Sequence, residues 1–447
     1  MRPYHFLLIL MTICIFSSSS AQNKAAVIGG GIAGTSCAYY LQKSMHYTSI
    51  TLFEKEEILG GNAQTIEVKN GKQEVVKVDA GPQYFSEGPW NDYLHFLNET
   101  IGLSSIATES VAGSLLVQSV HRNRPSIITP LNGKLRGEKI SRLLLFKKFN
   151  EEAFNLHNHP DPWRGKTIEA WVSSLSFDPD FKTEIIYPFL AASLGTSAEE
   201  IKSTSAVEII KLFAFRKPKL SNKFHIVEEG MGTLIGKIGT TLQEKGVHIR
   251  TSSPVQSVTR AGEKYVVHST TAEKTTTDTF DIVILAVHAD QAARILSAEN
   301  SFSPLKEELS KLPYFKAHIV IHKDPRFINT RYPTFLNIHT DDNNQLVSST
   351  MNLSVISPRL EGIYKSWMTE ELVQNVKEAH NFLYETDFYH PYITPGFIAS
   401  VEQLKVKLKD FPGLSIIGGW TEGIETQNSA VISAQKAVEK HTGKSPL

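Results

Sequence analysis

Cysteine is nearly absent from this chain: 447 residues carry two, Cys14 and Cys37. Cys14 sits in an N-terminal apolar stretch, so neither a disulfide framework nor a cysteine metal site can be built. Charge of one sign is also lacking, with 46 Lys and Arg against 46 Asp and Glu and a formal net charge of +0. That balance offers no basic footprint for nucleic acid and no pull toward an anionic membrane, so a small-molecule partner is expected. Long apolar runs are missing too. Phe6 to Phe16 falls short of the roughly 20 residues a spanning helix needs, and no other candidate span follows it. No Gly-x-Ser-x-Gly elbow, His-Glu-x-x-His or Cys-x-x-Cys occurs, which removes support for hydrolase and metalloenzyme chemistry, and no metal is expected. The remainder, 41% hydrophobic and 21% charged, is ordinary globular composition, at a length suited to about two to three domains.

Residues 1–21 read as a secretory signal peptide: Arg2 and His5 give a basic start, Phe6 to Phe16 an apolar core, and Ser19-Ser20-Ala21 a small-residue cleavage site. Cleavage near Ala21 would place the mature protein in a periplasm, a secretory lumen or the medium, with no integral membrane span left. Asn98-Glu99-Thr100 and Asn352-Leu353-Ser354 are formal glycosylation acceptors.

Most information lies between residues 25 and 54. The apolar run Ala25-Ala26-Val27-Ile28 opens into G-x-G-x-x-G at Gly29, Gly31 and Gly34, and a second run, Ser49 to Phe53, ends in Glu54. Gly29 permits a tight turn, Gly31 lets the backbone approach a pyrophosphate, and Gly34 lets a helix pack on the sheet. The start of that helix, at Ile32 and Ala33, offers free N–H groups and the positive end of a dipole. Glu54 can accept from both ribose hydroxyls and would repel a 2′-phosphate, so the dinucleotide is FAD or NAD.

Farther along, Gly60-Gly61 and Val78-Asp79-Ala80-Gly81 continue this start, and residues 90–220 read as mainly helical. A second α/β block follows from Phe224, with a helix opening at Gly230-Met231-Gly232 and a buried strand at Phe280 to Val287. Strands then give way to one helix over Thr369 to Leu383, and the chain ends with a strand at Leu414 to Gly419 and a helix over Ser429 to His441. The fold class expected is α/β: a Rossmann-type nucleotide domain from discontinuous segments (22–90, 224–300 and 401–447) with an α+β substrate domain in the gaps (91–223 and 301–400).

This arrangement resembles the flavin-containing amine oxidase and phytoene desaturase superfamily, over essentially all of the mature chain. The resemblance rests on Gly29-x-Gly31-x-x-Gly34 with Glu54, Gly60-Gly61 with Thr65, Val78-Asp79-Ala80-Gly81, Glu229-Gly230-Met231-Gly232 and Gly418-Gly419. Within that superfamily the chain looks nearest to predicted FAD-binding oxidoreductases and to prenylcysteine oxidases; the latter resemblance rests on Gly34-Thr35-Ser36 with Ala38-Tyr39-Tyr40-Leu41, on Leu52 to Glu57, and on Gly423-Ile424-Glu425 followed by Ser429-Ala430. The resemblance implies non-covalent FAD, since no cysteine near the C-terminus could form a flavin thioether. It also implies cofactor contacts from Lys55, Gly60, Gly61, Asn62, Thr65, Val255, Gly419, Glu425, Ser429 and Ala430. Asn62 stands where the superfamily commonly has arginine.

The implied reaction is oxidation of a small organic substrate next to a heteroatom, with hydride transfer to flavin and O2 as acceptor. The alternatives are a prenylcysteine-type thioether oxidase, an FAD-dependent desaturase or isomerase, and a non-catalytic flavin-binding protein. Tyr314 to Pro325 resembles the strand that carries a lysine near the flavin, with Lys316 the nearest match; aligning on Lys323-Asp324-Pro325 puts Ala317 there instead. Trp420, with Tyr84, Phe85, Tyr389 and Tyr392, could wall the flavin. Asp79 is expected to brace a turn, His318 and His322 to share one strand face, and His157 to Asp161 to form a loop.

Overall fold

The computed structural model describes residues 23–86, 90–121, 125–129, 140–214, 223–272 and 274–446; the proposed signal peptide lies outside them. A five-stranded, wholly parallel sheet organises the nucleotide half: β19 (Leu414–Ile416), β13 (Ile282–Leu285), β1 (Lys24–Ile28), β2 (Ser49–Phe53) and β9 (His248–Arg250), in that order. Parallel strands need both faces covered, and the alternation of side chains shows how this is done. Ala25, Val27, Ile282 and Ile284 pack into one apolar cluster with the helices Ile32–Ser44, Met231–Glu244 and Gln427–Thr442. Ala26, Ile28, Val283 and Leu285 face the other way. There they meet a second cluster that takes in the antiparallel sheet β10 (Val255–Ala261), β11 (Lys264–Thr270) and β12 (Thr275–Phe280).

A seven-stranded sheet forms the second half: β18 (Phe382–Pro391), β14 (Tyr314–His322), β17 (Tyr364–Met368), β16 (Leu346–Asn352), β15 (Leu336–Thr340), β6 (Leu115–Ser119) and β7 (Ile127–Thr129). It is antiparallel apart from β15 against β6. Two small pairs, β3 (Thr65–Lys69) with β4 (Val75–Asp79) and β5 (Thr108–Ala112) with β8 (Lys223–Val227), complete the strands.

Residues 90–220 are mainly helical, as expected, with β5, β6 and β7 lying among the helices. The partners of β5 and β6, β8 and β15, are distant in sequence, so local periodicity could not reveal those two strands. Two expectations are corrected here. The helix read over Thr369 to Leu383 stops at Glu378. His380 adopts φ +56°, and Phe382 onward pairs with β14. His157 also closes the helix Ile140–Asn158 instead of lying in a loop.

Candidate functional site

The three glycines of the first turn do different jobs. Gly29 has φ +110°, and a Cβ there would lie 2.3 Å from the Ala286 carbonyl oxygen; at Gly34 it would lie 1.8 Å from the Gly29 oxygen. Protein packing alone therefore demands both. Gly31 is unlike them: its φ of −76° suits any residue, and a Cβ would meet nothing nearer than Gly61 Cα at 3.7 Å. Gly31 fronts open space, and that space is the wall of a cavity of about 1670 Å³. A glycine kept where the protein leaves room is what a closely approaching pyrophosphate requires.

The helix Ile32–Ser44 begins at this point with no side-chain cap and no acid in its first turn, so its N–H groups and dipole remain available to an anion. The Gly60-Gly61 loop docks alongside through Gly60 N–H to the Gly30 oxygen at 3.0 Å. Glu54, buried at the end of β2, accepts from Gly30 N–H at 2.6 Å and Glu56 N–H at 2.9 Å. Its carboxylate is thereby held at the cavity wall, where ribose hydroxyls can reach it.

The C-terminal segment supplies the other side. Thr426 and Ser429 cap the helix Gln427–Thr442 reciprocally, which fixes the chain entering it. Trp90 donates to Gln427 Oε1 at 3.1 Å, leaving Gln427 Nε2 buried without a partner; Glu425 Oε2 is in the same position, with His390 Nδ1 at 3.7 Å. Buried polar atoms are ordinarily satisfied. One orphan donor and one orphan acceptor on the same cavity wall suit a polar group bound there. Glu208 steadies this stretch from a helix of the second half, accepting from Ile424 N–H at 3.2 Å.

Asp79 is the brace that was expected. Its Oδ1 accepts from Thr65 Oγ1 at 2.6 Å and from Met231 N–H at 2.8 Å, and Thr65 in turn accepts from Gly232 N–H at 2.9 Å. Burial pushes the Asp79 carboxyl up to about 6, against the opposing pull of these hydrogen bonds and of Lys365.

The second wall of the cavity is one face of the seven-stranded sheet: Ala317 and Ile319 of β14, Ser349 and Met351 of β16, Lys365 and Trp367 of β17, and Phe388 and His390 of β18. Lys365 is the buried cation of this wall. Burial pushes its ammonium down to about 8, with Asp79 opposing. Sequence reasoning passed over it. The signal available was the alternation in Tyr364-Lys365-Ser366-Trp367, which puts a lysine on the same strand face as a tryptophan.

Gly29, Gly31, Ile32, Ala33, Glu54, Lys55, Gly60, Gly61, Asn62, Thr65, Val255, Gly419, Trp420, Glu425 and Ala430 all line this single cavity. Trp420 is fixed there by its Nε1–H to the Val287 oxygen at 3.1 Å, and Tyr84 lines it as well. Three residues do not. Gly34 lies beneath the turn, as its packing role requires. The Ser429 hydroxyl is spent on the helix cap, and Thr426 and Gln427 face the cavity instead. Lys316 is placed on the opposite face of β14, half exposed and 3.6 Å from Asp387, and of the two residues it is Ala317 that faces the cavity.

Of the remaining aromatics, Phe85 packs in the core, Tyr389 is exposed, and Tyr392 donates to the Glu200 oxygen at 3.0 Å. His318 and His322 share the face of β14 turned away from the cavity; His318 meets Asp387 and Glu385, and His322 is buried against Ser366. Among the described residues no group of His, Cys, Asp and Glu is arranged to hold a metal ion.

Comparison with known proteins agrees with this geometry. Residues 32–328 match the family of flavin containing amine oxidoreductases. Mouse prenylcysteine oxidase 1 is 23% identical over 316 residues, 64% of this chain and 60% of its own length, so the match spans less than two thirds of that relative. Cyclohexylamine oxidase from Brevibacterium oxydans superposes with a TM-score of 0.65 at 12% identity, covering 94% of this chain and 99% of the other. The CLA-producing fatty acid isomerase from P. acnes does so with a TM-score of 0.66 at 12% identity, covering 93% and 98%. With the family model matching well over half its length, the chain belongs to the flavin-containing amine oxidoreductases.

Proposed function

We propose that the protein is an exported oxidase that holds FAD non-covalently and oxidises a small organic substrate next to a heteroatom, with O2 as the final acceptor. One observation carries this reading: a single cavity joins the Gly31 cradle to the face of the seven-stranded sheet, so a bound dinucleotide and a substrate would share it. FAD, when bound, supplies the two-electron acceptor.

The chain's own residues hold and shield it. Gly31 and the start of the helix Ile32–Ser44 receive the pyrophosphate, Glu54 accepts from the ribose, and Gln427 Nε2 supplies a further donor. Trp420 and Tyr84 give aromatic walls. Ile319, Met351, Trp367 and Phe388 keep the substrate side dry, which strengthens every polar contact made there. Cys37 is buried in the first helix and does not line the cavity, in keeping with non-covalent attachment. No helix among the described residues is long and apolar enough to cross a membrane.

The apolar sheet wall also favours a second reading, a thioether oxidase like the mouse relative. Anaerobic mixing with primary amines and with N-acetyl-S-alkyl cysteines, which keep the thioether but have no free amine, separates the two: the class that bleaches the flavin bands, and releases hydrogen peroxide on admitting air, is the substrate class. Bands unmoved by both would contradict either oxidase reading and leave a binding role.

A further inference from the structure

Lys365 has a side chain that the fold satisfies only in part. An ammonium carries three donors. Among the described residues Lys365 Nζ finds two acceptors, the Gly81 carbonyl oxygen and Gln83 Oε1 at 3.4 Å. Both are neutral. The carboxylate of Asp79 acts on it only through space: its Oδ1 is taken by Thr65 and Met231, and Nζ makes its hydrogen bonds to Gly81 and Gln83 instead. Lys365 is only 7% exposed, and it lines the cavity directly opposite Met351 in the pairing of β16 with β17; Trp367, two residues along the strand, faces the same way.

A buried cation whose direct partners are neutral is costly to keep; Asp79 offsets part of that cost, and a bound anion would offset more. The same field disfavours an ammonium and attracts an anion. The wall around it (Ile319, Met351, Trp367 and Phe388) suits an apolar body behind the charged head.

We propose that the substrate carries a carboxylate, which Lys365 Nζ binds at the sheet wall of the cavity while an apolar portion lies along that wall. This inference rests on the cavity being the active site of a flavin oxidoreductase, and it narrows the substrate within both the amine and the thioether readings.

The test titrates octanoate, octanol and octylamine into the purified holoprotein at neutral pH, read by calorimetry and by perturbation of the visible flavin bands. Octanoate is expected to bind at least about tenfold more tightly than either neutral or cationic analogue. Lys365→Met should abolish that preference while octanol binding stays within about threefold, and Lys365→Arg should keep it. Lys365→Met also removes the charge that faces Asp79 and the donor to the Gly81 oxygen, so its melting temperature does not separate the roles; a carboxylate preference lost in Lys365→Met and kept in Lys365→Arg follows the cation.

Octanoate binding no tighter than octanol in the native protein would overturn the proposal. So would a preference that survives in Lys365→Met, or a substitution that shifts the flavin spectrum without touching carboxylate affinity. If Lys365→Met does not fold, Lys365→Gln and the native comparison of octanoate with octanol decide the matter. A colourless preparation would count against the flavin reading alone, since calorimetry with octanoate and octanol still reports on Lys365.

Discussion

Gly31→Ala is expected to fold and melt like the parent but to emerge from purification without flavin, its affinity for FAD reduced at least about a hundredfold. The protein itself has room for the new methyl group: its nearest neighbour would be Gly61 Cα at 3.7 Å, an ordinary contact. The backbone already has dihedral angles that any residue adopts. What the methyl invades is the approach to the uncapped helix start, where a pyrophosphate would lie against bare backbone. Circular dichroism, thermal melting and the absorption ratio of flavin to protein check the expectation together. A yellow Gly31→Ala protein with parental FAD affinity would mean that the dinucleotide lies elsewhere.

Three residues along, the same substitution should fail for the opposite reason. A Cβ at Gly34 would sit 1.8 Å from the Gly29 carbonyl oxygen and 3.4 Å from Ala286 Cβ. The obstructing atom is backbone, and Gly29 is itself pinned by its N–H to the Phe53 oxygen at 2.8 Å. Relief requires the helix Ile32–Ser44 to back away from the sheet, opening the cluster of Cys37, Ala38, Tyr40 and Leu41. Gly34→Ala is therefore expected to cost at least about 4 kcal/mol, enough to lose most soluble protein. Denaturant melts and expression yield would measure it. Near-parental stability would show that the helix tolerates displacement and that the packing role given to Gly34 is wrong. The pair separates a glycine kept for the ligand from a glycine kept for the fold.

That separation marks how far the sequence could be read. The nucleotide cradle is local: strand, turn, helix, strand and acid follow one another within residues 24–54, so spacing alone reveals them. The sheet wall is not local. Its strands come from residues 115 to 391, and which side chains face inward depends on register. Lys316 and Ala317 differ by one residue, and in a strand that difference exchanges the exposed face for the cavity; pairing of Lys316 with the exposed Tyr389 settles it for Ala317. Lys365 escaped notice because its neighbours at the site, Gly81 and Gln83, lie more than 280 residues away. Ser429 was near the right place, but capping geometry, which motif matching does not weigh, turned its hydroxyl into the helix. Asp79 was expected to brace a turn; it does so from the end of β4, through Thr65 nearby and through Met231 N–H, 152 residues on, a contact no local spacing displays.

The most direct measurement is the visible absorption spectrum of the purified native protein, followed by denaturation, filtration and identification of what passes the filter. Flavin bands, with FAD released intact into the filtrate, are expected. A colourless protein that FAD cannot reconstitute, or flavin that stays with the denatured chain, would contradict a non-covalent FAD site built on Gly31 and Glu54.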